Sequence, residues 1–238
     1  MSEPVTVVLG PRTRLGAELV RNAVARGERV IALARHDKDA EALAELGGAV
    51  EVIDPPTLGS LVGQPDAVRL HVCAMGPVHT WQEQVDPAEV ARDLSMVEAV
   101  LEWGGAAAHV VQVSSVVALA PGPDRRSYGG WKNLVEHEVR AAAQRHGAEF
   151  SVVYPGRLVE RSDGRIKNLL HTPYPRAASL VEKSGSKAPT ARVIGADARI
   201  WLLVHGLKVM VRGVVGSGGT GQGRSAVGGR PAGKQGER

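Results

Sequence analysis

The sequence predicts an α/β protein: a doubly wound, mostly parallel sheet in a three-layer αβα arrangement. Three observations carry that expectation. Short β-rich runs alternate with helix-period segments along the chain, an order that implies right-handed crossovers between parallel strands. The runs are near-continuous in Val, Ile and Leu, as in strands buried on both faces. The first of them closes on a glycine turn that opens directly into a helix, the arrangement in which doubly wound folds hold a phosphate.

Taken in order, "VTVVLG" reads as a buried strand ending at Gly10. "RLGAELVRNAVARG" places Leu15, Leu19, Ala23 and Val24 on one helical face, and Gly27 supplies the stop. "RVIALAR" is a second strand, "KDAEALAEL" a second helix, and "AVEVID" a third strand. A fourth strand lies near "AVRLHVCAMG", before a long helix from about Asp86 to Trp103. "AHVVQVSS" and "EFSVVYPG" are strands five and six, flanking a helix from about Ser127 to His146. Residues 157–194 mix basic and polar types without a firm period, which predicts a substrate-facing lid. "GADARIWLLVHGL" then suits a short helix and "KVMVRGVVG" a last strand.

The 238 residues are 43% hydrophobic and 23% charged, enough for one domain with a sizeable core. One domain is expected over residues 1–216, followed by a disordered Gly-rich tail over 217–238 that lacks the apolar residues to offset its ordering entropy. The net charge of +4 resides mostly in that tail, which leaves 25 basic and 24 acidic groups on residues 1–216. A nucleic-acid partner is therefore not expected. The start "MSEPVTVVLG" does not read as a signal peptide, "IWLLVHGLKVMV" is too short and polar for a membrane span, and Cys73 has no second cysteine to pair with. The expected compartment is the cytoplasm, with no membrane partner.

Two local patterns carry chemistry. In "GPRTRLG", Gly10 to Gly16, glycines allow the backbone to turn tightly and approach a pyrophosphate. Tyr128 and Lys132 stand four apart on a helix and share a face, where an ammonium favours phenolate and draws the Tyr pKa down. Such a Tyr exchanges protons with a carbonyl or alcohol oxygen.

With a serine at the end of strand five, thirteen residues before Tyr128, and the pair Pro155–Gly156 ending strand six, the chain from about Val5 to Leu158 resembles the short-chain dehydrogenase/reductases. The resemblance implies a Rossmann-type fold that binds a nicotinamide dinucleotide. It implies Tyr128 as general acid/base, Lys132 as ribose ligand and pKa modulator, and Ser115, rather than Ser114, as the group polarising the substrate oxygen. It sets Gly10, Arg12, Arg14, Leu15 and Gly16 around the pyrophosphate and Glu51 against the adenine. Ala74 and Gly76 fall within the "CAMG" that stands for the family's Asn-Asn-Ala-Gly, and Pro155, Gly156 and Leu158 line the nicotinamide. It also allows a homodimer through the apolar faces around Val90–Leu101 and Leu134–Val139.

The chain departs from the pattern at Arg14, where the family has a glycine, and at Asp93, where it often has a catalytic Asn. Arg35 stands at the end of strand two, where NAD-preferring relatives carry an acid. With Arg12 and Arg14 it favours the 2′-phosphate of NADP, while Asp37 keeps NAD open. The expected activity is NADP(H)-dependent hydride transfer to or from a small carbonyl/alcohol substrate. The alternative is a dinucleotide-binding sensor or scaffold without turnover. The eight His form no metal-binding motif, so no metal is expected, and neither a Gly-x-Ser-x-Gly elbow nor a P-loop occurs.

Overall fold

Alternation of side chains along buried strands decides how the layers form. The computed structural model describes residues 4–33, 43, 50–53, 65–75, 87–119, 126–160, 170–185 and 191–217, except the side chains of 87, 89, 126, 127 and 208–217. Seven strands form one parallel sheet: β1 Val5–Leu9, β2 Arg29–Leu33, β3 Val50–Ile53, β4 Val68–Val72, β5 Ala108–Val113, β6 Glu149–Pro155 and β9 Ala191–Ile194. Two short strands, β7 Leu158–Val159 and β8 Thr172–Pro173, pair apart from it. The sheet order is β3-β2-β1-β4-β5-β6-β9, every pairing parallel. The order reverses between β1 and β4, and the carboxyl edge beside such a reversal is where doubly wound folds bind ligands. The fold is the Rossmann-type three-layer αβα arrangement that the sequence predicts.

Val7 and Leu9 of β1 face one side with Leu70 and Val110. Helices α2 (Pro87–Gly104) and α3 (Arg126–Arg145) cover that side with Met96, Val100, Leu101, Val135 and Val139. Val8 faces the other side with Val30, Val111 and Val153. There α1 (Arg14–Ala25) lays down Leu15, Leu19 and Val20, and α4 (Tyr174–Ser184) lays down Ala177, Ala178 and Val181. Each fully buried aliphatic side chain contributes roughly 1.5–3 kcal/mol, so both faces hold the sheet.

The apolar residues expected to pair two copies are therefore largely used inside the chain: Val97, Val100, Leu101, Val135 and Val139 are buried in its own core, and Leu134 remains exposed. Trp131, between Tyr128 and Lys132 in sequence, packs against the same core.

The late part of the chain corrects one expectation. Lys208–Gly216 is not a strand: α5 runs unbroken from Ala196 to Ser217. The last strand of the sheet is β9, and α4 precedes it, both inside the stretch 157–194. By its internal contacts the chain divides into residues 1–203 and 204–238, and the site described below lies in the first unit. Residues 218–238 lie outside the described residues. Among the described residues no helix is long and apolar enough to cross a membrane.

Candidate active site

The glycine turn is built by three close approaches. Gly10 has φ +83°, and a Cβ there would stand 2.8 Å from that of Ala74, so the β1 turn and the end of β4 pack backbone to backbone. Thr13 caps α1: its hydroxyl donates to the Gly10 carbonyl at 2.8 Å and accepts from the Gly16 N–H at 3.0 Å. Thr13 is a site residue not named from the sequence, where Thr immediately before a helical run is a capping signal. The other N–H groups of the first turn face out of the helix start, which is an anion-binding end. Leu15 and Gly16 are buried, while Arg12 and Arg14 are exposed.

The Arg14 guanidinium pairs at 2.7 Å with Glu160, just past β7. Leu158 packs against the cluster that holds Leu15 and Val113.

At the end of β5, Ser114 is buried and its hydroxyl has no hydrogen-bond partner, while its N–H donates to Val153. Ser115 is half-buried and starts the single helical turn Val116–Leu119, its carbonyl accepting from Ala118 N–H. Asn133 donates from Nδ2 to the Ala118 carbonyl at 3.0 Å, which ties that turn to α3. Tyr128 and Lys132 sit on α3, with the Lys132 ammonium 5.7 Å from the centroid of the Tyr128 ring.

These elements meet in a cleft of about 450 Å³. Ser115, Tyr128 and Gly156 line it together, with Arg157, Asp197 and Trp201. Sequence reasoning missed Asp197 and Trp201, which come from the first turns of α5. Asp197 lies across the end of β6: its Oδ2 accepts from Arg157 N–H at 2.6 Å, and a Cβ on Gly156 would stand 2.5 Å from both carboxylate oxygens. Gly156 is thus required for the carboxylate to lie there. Asp197 Oδ1 is buried without a hydrogen-bond partner among the described residues.

Glu51 is held by Arg29 at 2.7 Å, and it precedes the carboxyl end of β3 by two residues. Burial pushes the Cys73 thiol up to about 12, against the opposing Lys132 charge. Tyr154, which is buried, donates to Glu136 at 2.8 Å, and burial together with that carboxylate raises its pKa. Asp93 is buried within α2. Arg35 and Gly76 lie outside the described residues. Among the described residues no group of His, Cys, Asp and Glu could hold a metal.

Solved structures that share the fold include oxidoreductases. A short-chain dehydrogenase from Burkholderia cenocepacia J2315 in complex with NADP is 19% identical over 91% of this chain and 97% of its own, with a TM-score of 0.63. An oxidoreductase of the short-chain dehydrogenase/reductase family from Burkholderia thailandensis is 18% identical over 90% and 98%, with a TM-score of 0.62. Serine dehydrogenase from Escherichia coli is 16% identical over 81% and 97%, with a TM-score of 0.57. No protein-family model and no curated protein matches the chain in sequence. The likeness is one of fold, and it spans nearly the whole length of those chains.

Proposed function

We propose that the chain is a divergent short-chain dehydrogenase/reductase, an NADP(H)-dependent oxidoreductase acting on a small carbonyl/alcohol substrate, with NAD as the alternative cofactor. The observation that carries the reading is the cleft shared by Ser115 and Tyr128, with the Lys132 ammonium beside the phenol ring.

The residues fit a dinucleotide. The Gly10 turn has no Cβ in the way, and α1 starts beside it. Gly10, Arg12, Leu15 and Gly16 would hold the pyrophosphate, Ala74 and Gly76 the adenosine side, and Pro155, Gly156 and Leu158 the nicotinamide. Arg35 would meet the 2′-phosphate through charge-assisted hydrogen bonds. A bound nicotinamide supplies or accepts the hydride.

The chain's own residues handle the oxygen and the proton. Ser115 donates a hydrogen bond to the substrate oxygen. In the reducing direction Tyr128 transfers its phenolic proton to that oxygen, and Lys132 stabilises the phenolate left behind. Solvent then restores the proton. In this reading the domain spans residues 1–216, residues 157–194 face the substrate, and 217–238 form a tail.

A second reading, a dinucleotide sensor without turnover, draws on the Arg14–Glu160 pair, which engages a cation the pyrophosphate would otherwise meet. Titration with NADPH and NADH, followed by a screen with generic aldehydes, ketones and quinones, separates the two. NADPH oxidation by any of them supports the enzyme, and binding without oxidation supports the sensor.

A further inference from the structure

We propose that a second cavity, on the far side of the α5 start from the catalytic cleft, is a binding site for a small amphipathic phosphate ester. The cavity measures about 590 Å³ and lies along β9, the edge strand of the sheet. Three elements each contribute one arginine to its lining: Arg176 from α4, Arg192 from β9 and Arg199 from α5.

No carboxylate lines the cavity. Several other arginines are matched with acids: Arg21 holds Glu18, Arg26 holds Glu28 and Glu182, Arg140 holds Glu136 and Arg145 holds Glu98. Arg176, Arg192 and Arg199 have no such partner among the described residues. Asp197, the acid nearest in sequence, is engaged over Gly156. Three like charges around one concavity raise its potential, and a dianion relieves their repulsion. Guanidinium forks suit phosphate oxygens in particular.

Leu180, Ile194 and Ile200 line the same cavity. They supply an apolar surface beside the cations, which suits an ester carrying an aliphatic chain rather than free phosphate. Ala196, Arg199 and Ile200 recur at helical spacing on the α5 face bordering this cavity, while Asp197, Ala198 and Trp201 border the other cleft. A ligand here therefore bears on the helix that carries Trp201, and tryptophan emission offers a readout independent of turnover.

The test is calorimetric titration of the full chain with hexyl phosphate, inorganic phosphate and hexyltrimethylammonium, with tryptophan emission followed in parallel. Hexyl phosphate is expected to saturate one site, more tightly than inorganic phosphate, with a change in emission. Arg192→Gln and the exposed-site variant Arg176→Gln should each weaken it about tenfold, the loss of one charge-assisted contact, with melting temperature and NADPH binding unchanged. The absence of saturable one-site binding would overturn the assignment. Equal affinity in both variants, equal binding of the ammonium amphiphile, or inorganic phosphate binding as tightly as the ester would do the same.

Discussion

Arg14, the first residue of α1, and Glu160, two residues beyond Leu158, form an ion pair of 2.7 Å between the glycine turn and the end of β7. Both side chains are about two-thirds exposed, and exposed pairs are worth at most about 1 kcal/mol. A pyrophosphate can therefore displace Glu160 from Arg14 at small cost. Glu160→Gln should tighten NADPH binding by about two- to fivefold and steepen its salt dependence, as measured by fluorescence titration. Weaker binding in this variant would mean that Glu160 itself supports the cofactor.

Arg35 tests the cofactor preference. Arg35→Ala should weaken NADPH by about tenfold, the worth of one charge-assisted phosphate contact, and change NADH little. Parallel titrations check this, and equal weakening of both would remove Arg35 from the 2′-phosphate site.

Asn133 holds the turn that begins at Ser115 through the Ala118 carbonyl. Asn133→Ala leaves that carbonyl unpaired, at a cost of about 1 kcal/mol and a fall in melting temperature of about 2–4 °C. If the bond also positions Ser115, turnover falls while NADPH affinity holds, and Asn133→Asp, which lacks the donor, behaves as Ala does. Normal turnover in both variants would confine Asn133 to a structural role.

His71 provides a pH signature. It is buried in β4 with neither ring nitrogen hydrogen-bonded, and burial, aided by the Arg69 charge, lowers its pKa from 6.5 to about 3. The unfolded chain takes up this proton near 6.5 and the folded chain does not, so stability falls as the pH drops from 6.5 towards 3. At pH 5 the loss from this group is about 2 kcal/mol. His71→Leu should flatten the acid limb of stability measured by urea unfolding between pH 7 and 5. An unchanged limb would assign the acid sensitivity to other groups.

The sheet was legible because buried parallel strands announce themselves: "VTVVL", "HVVQV" and "SVVY" are apolar on both faces. β9 was not, because four residues at an edge, with Arg192 among them and only Ile194 fully buried, carry no such run. The β-branched residues of Lys208–Gly216 imitated a strand inside a helix, since propensity is a weak guide beside context. The periodic face of α4, from Ala177 and Ala178 to Val181 and Ser184, was present but dominated by small residues. At the site, local spacing placed Ser115, Tyr128 and Lys132 on the right elements. Asp197 and Trp201 were hidden because they reach the cleft only through the return of α5 past β6 and β9, which no local pattern encodes.

The most direct test of the central claim is steady-state NADPH oxidation by Tyr128→Phe, using whichever carbonyl substrate the screen supports, together with NADPH titration. A loss in kcat of about a hundredfold or more is expected, the worth of a positioned general acid, with NADPH affinity within twofold of the parent chain. Turnover equal to that of the parent would contradict it.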